Sequence, residues 1–194
     1  YASAAECRKV SHLGVKVQTH HNDSGKRPGR AQCTGGAGCD EYTLYNPDMY
    51  AELICDYNGI HVPPDLIKMI VRTKGVEKMI LITDSMAISG DYKNNEEEGI
   101  AYGPDLNYDY EGHLAGSHLT LENACRNLMA HTGYGLCHAV RMATINPARV
   151  LGIDGEVGSL EVGKKANLII TDDRFNIETV ILEGDVAVQN GNRV

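Results

Sequence analysis

No stretch of this 194-residue chain approaches the about 18 apolar residues of a membrane-spanning helix. No signal peptide is visible either. Positive charge is scarce: Lys and Arg number 18 against 26 Asp and Glu, a net charge of -8. Nucleic acids and anionic membranes both require a basic face, so neither is an expected partner. CxxC pairs are missing although there are six cysteines, so the structural zinc signature is absent. Cys55 and Cys125 sit in apolar runs and read as small core residues. Cys33 and Cys39 flank a Gly-rich stretch and could pair, but a reduced, cytoplasmic chain is the expectation. An initiating Met is also lacking. The chain opens at Tyr1 within a helix-like stretch, so an N-terminal portion, with any targeting segment, is expected to be missing.

The hydrophobic content of 42% suffices for a packed core, and the length for one good-sized domain or one with a small second. Ser3-Ala4-Ala5-Glu6 is a capping box opening a short helix that stops at Gly14. Val15 to Thr19 alternates and is β-branched, predicting a strand that runs into His20-His21. Residues 22–46 carry no periodicity and read as loop. Tyr50 to Asp56 predicts a second strand. Pro63-Pro64 then opens a helix with Leu66, Ile67, Ile70 and Val71 on one face, closed by Gly75. A third strand follows over Met79-Ile80-Leu81-Ile82-Thr83, an unbroken apolar run suited to burial on both faces.

Each of these strands ends in His or Asp, a βα repetition with polar groups gathered at one end. Asp84 stands at the carboxyl end of the third strand, where barrel enzymes carry their chemistry; as a plain turn residue it would only cap the next segment. Residues 91–113 are acidic and contain Tyr, and read as an exposed excursion or flap. Leu114-Ala115-Gly116-Ser117 leads into an amphipathic helix carrying Leu121, Ala124, Cys125, Leu128 and Met129. Another helix covers about 136–144, and Asn146-Pro147 predicts one more, with Asn as N-cap and Pro at N1. After Gly152 short β-rich runs alternate with Gly, and Glu183-Gly184-Asp185 reads as a hairpin turn.

These segments together resemble the N-acetylglucosamine-6-phosphate deacetylase family of the amidohydrolase superfamily. The pieces that carry the resemblance are Val17-Gln18-Thr19-His20, Glu52-Leu53-Ile54-Cys55-Asp56, Gly59-Ile60-His61-Val62 and Leu81-Ile82-Thr83-Asp84. Leu114-Ala115-Gly116-Ser117-His118-Leu119-Thr120, Arg141-Met142-Ala143-Thr144, Asn146-Pro147-Ala148 and the run Gly158 to Leu168 add to them. The resemblance implies an α/β fold: the last strands and helices of a (β/α)8 TIM barrel over 1–150, then the C-terminal strands of a small β-sandwich over 151–194. A whole barrel takes about 250 residues, so the early strands cannot all be here.

The resemblance also implies metal-dependent hydrolysis of the acetamide of N-acetylglucosamine 6-phosphate. His20 would be a ligand of a divalent ion, zinc or iron. Asp84 would take a proton from metal-bound water and deliver it to the leaving amine. His61 would contact the substrate or its tetrahedral oxyanion, and Leu114, Ala115 and Gly116 would line the pocket. The complete protein would act as a homodimer on a small amino-sugar phosphate. His21 reads as a bystander, and His113, His118, His131 and His138 as surface or helix histidines.

Two departures qualify the resemblance. The family's other metal ligands, a Glu and a His, have no counterpart here, and one imidazole cannot hold a catalytic metal that takes about three protein ligands. After His20 the family's metal-site and phosphate-binding segments give way to His21 through Gly29; Asn22 and Arg27 are the nearest remnants, at altered spacing. This window reads as degenerate or translated in a shifted frame. The alternatives are another amidohydrolase, D-aminoacylase-like or dihydroorotase-like, or a non-catalytic truncated remnant.

Overall fold

The structure, a computed structural model, describes residues 2–23, 36–86, 104–109, 111, 113–190 and 192–193. Two compact units divide the chain, Tyr1–Asn146 and Pro147–Val194.

The first unit is built on three parallel strands, β1 (Val17–Gln18), β2 (Tyr50–Ile54) and β3 (Met79–Ile82), in the order β1-β2-β3. The register pairs Gln18 with Ala51 and Ile54 with Ile82, which brings the three carboxyl ends to one edge. Parallel neighbours require a crossover, and helices supply both: α2 (Cys39–Tyr45) between β1 and β2, and α3 (Pro64–Lys74) between β2 and β3. Covered strands become continuously apolar, and Leu53, Ile54 and Met79 are fully buried. Helix α3 follows its sequence signals, with Pro64 in the first turn and Gly75 at the C-cap at φ 80°. Its buried face is Ile67, Ile70 and Val71.

Helix α1 (Ala4–Ser11) has both halves of its capping box: Ser3 Oγ accepts from the Glu6 N–H at 3.3 Å, and Glu6 returns to the Ser3 N–H at 2.7 Å. Helix α2 corrects the reading of 22–46 as loop. Its only local signals are Gly38 at the N-cap and Glu41, which accepts from the Gly38 N–H at 2.7 Å. Tertiary packing supplies the rest: Tyr42 and Met49 form a buried cluster with Ala4 and Cys7 of α1, and Cys39 packs against it. Sequence spacing suggested Cys33 for Cys39; Cys33 lies outside the described residues, and Cys39 lies against Cys7. Burial and the Cys7 thiol push the Cys39 pKa up to about 11.

Residues 87–103, most of the supposed flap, lie outside the described residues. Its end is exposed only in part: Asp105 to Tyr108 are buried, while Glu111 and His113 stay exposed. β4 (Leu106–Tyr108) is buried and pairs antiparallel with β5 (Leu114–Ser117), which replaces the expected helix-leading loop. Asn107 stabilises this pair by donating to the Ala115 carbonyl at 2.8 Å. β5 also touches the parallel sheet through a bridge from Ser117 to Ser85.

Helices α4 (Leu121–Thr132) and α5 (Leu136–Ala143) pack on β3. α4 is capped by Thr120 and ends at Gly133 in the left-handed region. Helix α6 spans Ile145–Leu151, two residues earlier than expected. Asn146 is not its cap. The side chain is fully buried and donates to the carbonyls of Val76 (2.7 Å) and Met79 (2.8 Å), anchoring the start of β3.

The second unit is an antiparallel sheet, β6 (Leu168–Thr171), β7 (Ile177–Leu182), β8 (Asp185–Gln189) and β9 (Asn192–Arg193), in sequential order. Glu183 and Gly184, at φ 52° and 97°, make the two-residue turn between β7 and β8, as read from the sequence. Among the described residues no helix is long and apolar enough to cross a membrane.

Candidate active site

The carboxyl edge of the parallel sheet gathers His20 after β1, Asp56 after β2 and Asp84 after β3. His20 stands at φ 31°, Asn22 at 62° and Asp84 at 51°, so the turns leaving β1 and β3 both pass through the left-handed region that side-chain-bearing residues seldom adopt.

Asp84 is exposed, and its position is held through its main chain. The Ser117 N–H donates to the Asp84 carbonyl at 2.8 Å, the Ser117 hydroxyl to Thr83 O, and the Met86 N–H to Ser117 O at 3.0 Å. Gly116 makes this approach possible. It sits at φ 65°, and a Cβ there would lie 2.6 Å from Asp84 O and 2.7 Å from Met86 Cγ. Of the expected pocket residues, Gly116 therefore has a definite structural task, Ala115 receives the Asn107 bond, and Leu114 stands exposed.

His61 is buried and held at both ends: Nδ1 lies 3.2 Å from Asp56 Oδ2, and Nε2 lies 3.2 Å from Gly116 O. Burial opposes a charged ring. The bond to Asp56, the charges of Asp23 and Asp56, and the Gly116 carbonyl outweigh it and hold the His61 pKa above its ordinary value. Asp56 is fully buried; its hydrogen bonds with His61 and the Ile60 and His61 N–H groups overcome desolvation and hold its carboxyl below the usual range.

Asp23, half-buried, joins the group. Desolvation raises its pKa, the charges of His61 and His20 oppose the rise, and those of Asp84 and Asp56 add to it. His20, Asp23, Asp56, His61 and Asp84 thus share one electrostatic neighbourhood. Sequence reasoning missed Asp23, which carries no signal, and Asp56, whose signal was its place at a strand end like that of Asp84. His131, read as a surface or helix histidine, is half-buried and sets Nε2 2.9 Å from the Asp56 main-chain carbonyl.

Asn22 lies beside this group, with its N–H donating to Asp40 at 3.3 Å; among the described residues its buried amide nitrogen finds no partner. Arg27 lies outside the described residues. His21 is fully buried, with Nδ1 2.5 Å from Gln18 Oε1, and burial pushes its pKa down.

The fit to a divalent metal is incomplete. Among the described residues no three His, Cys, Asp or Glu side chains are grouped to hold one, and His20 alone does not make a ligand set. What the edge does offer is an exposed carboxylate at a strand end, a buried imidazole whose charged form is favoured by its neighbours, and a backbone approach opened by glycine.

The amidohydrolase family profile matches residues 5–187. The chain belongs to the amidohydrolase family. It is 34% identical over 142 residues to the N-acetylgalactosamine-6-phosphate deacetylase of Escherichia coli O157:H7, covering 71% of this chain and 37% of that one. It is 33% identical over 174 residues to the N-acetylglucosamine-6-phosphate deacetylase of Vibrio furnissii, covering 85% and 38%. The chain therefore spans less than half the length of these two relatives. Among solved structures, the N-acetylglucosamine-6-phosphate deacetylase of Thermotoga maritima superposes with a TM-score of 0.77 at 26% identity, covering all of this chain and 51% of that one. That of Pasteurella multocida reaches 0.80 at 24% identity, a likeness of fold, over 97% and 48%. The expected mixed α/β fold and the family resemblance are both borne out.

Proposed function

We propose that this amidohydrolase chain carries part of the machinery that removes the acetyl group from an N-acetylhexosamine 6-phosphate, N-acetylglucosamine 6-phosphate foremost. The observation that carries the reading is the convergence of Asp84, His61 and His20 at the carboxyl edge of the parallel sheet, where barrel enzymes hold their catalytic groups. In this reading residues 1–150 are the last part of a (β/α)8 barrel and 151–194 the C-terminal strands of a β-sandwich. Homodimer formation and a cytoplasmic location belong to the same proposal.

Asp84 is the proton carrier: it takes a proton from the attacking water and delivers it to the departing amine. His61, fixed between Asp56 and Gly116, faces the developing oxyanion or the anionic sugar. Gly116 brings the β5 backbone close to the substrate, with Leu114 and Ala115 beside it. Asn22 and Arg27 contribute polar contacts to the sugar phosphate. His20 is one ligand of the divalent metal, zinc or iron, that the family resemblance implies; the described residues do not complete its ligand set, so no step is routed through it.

The test is acetate release from N-acetylglucosamine 6-phosphate and from its galacto epimer, with zinc or ferrous iron supplied. The relative from Escherichia coli is the reason for the second sugar. In the complete protein acetate should be released from one or both sugars, and Asp84→Asn should lower turnover about 10²- to 10⁴-fold. Undiminished turnover in the variant would remove Asp84 from its role. Hydrolysis of N-acyl amino acids instead would favour the D-aminoacylase alternative, and no hydrolysis at all the non-catalytic remnant.

A further inference from the structure

We propose that Asp56 is a positioning residue, whose buried carboxylate orients the His61 ring so that Nε2–H is presented toward β5. The proposal rests on the reading of His61 as a substrate-facing group.

A fully buried carboxylate is costly unless its oxygens are satisfied. Those of Asp56 are committed within one loop. Oδ1 accepts from the Ile60 N–H at 2.9 Å, and Oδ2 accepts from the His61 N–H at 2.9 Å while facing His61 Nδ1 at 3.2 Å. A carboxylate that merely closed the turn would need only the backbone donors. The ring contact goes further, because it dictates the proton on Nδ1. The Gly116 carbonyl, 3.2 Å from Nε2, can only accept, so it dictates the other. In its charged form the ring therefore commits Nδ1–H to Asp56 and offers Nε2–H to any acceptor that displaces Gly116 O.

Asp56 is held in turn from behind by α4. Asn127 donates to Cys55 O at 2.9 Å and to Asp105 Oδ2 at 3.2 Å; Asp105 Oδ2 accepts from the Tyr57 N–H at 2.7 Å; and His131 meets Asp56 O at 2.9 Å. Both residues flanking Asp56 are thus pinned, and Asp105 and Asn127 are themselves buried. The charged groups acting on His61 are Asp56 from the end of β2 and Asp23 from the turn after β1; Asp23 in turn feels His20 and Asp84.

The experiment is ¹H–¹⁵N NMR of the histidine rings in the whole chain as pH is raised. On losing its second proton, wild-type His61 should keep the one on Nδ1, the tautomer Asp56 dictates, whereas a free imidazole prefers Nε2. In Asp56→Asn the His61 midpoint should move to lower pH, since the group favouring the charged ring has lost its charge, and the remaining histidines away from this loop should not move. An Nε2–H tautomer in the wild-type ring overturns the proposal, and so does an unmoved midpoint in a folded Asp56→Asn chain. The wild-type measurement stands even where the variant fails to fold. Neither reading needs turnover, so an acetate assay that fails and a positioning role that fails are separate results.

Discussion

The two units of this chain solve the problem of burying a sheet differently. In the first, α3, α4 and α5 pack around a parallel sheet, and Leu53, Ile54, Ile67, Ile70, Met79, Leu128 and Met142 lose all contact with solvent. In the second, Ala148 is the only buried apolar residue among those described, and Leu160, Val162, Ile169 and Leu182 are each more than half exposed. Four antiparallel strands pair with one another, but they cannot cover their own apolar side chains. The difference teaches that the first unit holds its candidate site on a core, whereas the second leaves most of its apolar side chains exposed.

The largest expected effect is on association. Exposed apolar residues on the second unit, together with strands β1 and β3 that pair along their length on one side only among the described residues, should make the chain self-associate. Light scattering should show species larger than a monomer, and Ile169→Lys with Leu182→Lys should reduce them. A wild-type chain that is monomeric and unfolds cooperatively would break the comparison.

Next come core substitutions. Leu53→Ala, at a fully buried position, should cost about 2–5 kcal/mol of unfolding free energy, whereas Ile169→Ala, at 62% exposure, should change it by about 0.5 kcal/mol or less. Urea denaturation reads both. Equal losses would show that the second unit is as well packed as the first.

Glycines sharpen the contrast at smaller cost. Gly116→Ala meets Asp84 O as well as an unfavourable φ, while Gly163→Ala, at φ 95°, meets nothing within 4 Å. The first should lower stability by about 1–3 kcal/mol and displace Asp84; the second should cost about 1 kcal/mol, from backbone strain alone. Thermal melts that rank them the other way would remove the close approach from the account of the site.

The smallest effect is on pH dependence, and it belongs to the first unit. The His61 pKa is raised in the folded state, so its stabilisation is complete below the unfolded value near 6.5 and is lost as pH rises through the folded one. The Asp56 pKa is lowered, so its contribution is present above the unfolded value near 3.8 and is lost as pH falls through the folded one. The pair should therefore stabilise most between about pH 4 and 6.5. A melting profile over pH should lose this maximum in Asp56→Asn; a maximum that persists would assign it to other groups.

What could be read without coordinates follows from how local the cause was. The capping box of α1, the Pro64 start and Gly75 stop of α3, the apolar run of β3 and the turn at Glu183-Gly184 all arise from backbone chemistry within a few residues. Helix α2 was hidden because a seven-residue helix beginning at glycine depends on Tyr42 packing against α1. The pairing of β4 with β5 was hidden because Asn107 and Asp105 look like solvated loop residues until their partners, Ala115 O, Tyr57 N and Asn127, are brought to them.

The candidate site divides in the same way. Asp84, His61 and His20 were visible as polar residues at the ends of strands or in family-like motifs. Their arrangement was not, because it depends on the parallel register that aligns three strand ends and on the glycine that lets β5 approach Asp84. The order of β1, β2, α3, β3 and α4, and with it the family resemblance, is set by local pattern. The raised pKa of His61 and the task of Asp56 were decided only by the tertiary structure, because each depends on a carbonyl or carboxylate that folding removes from water and places within hydrogen-bonding distance.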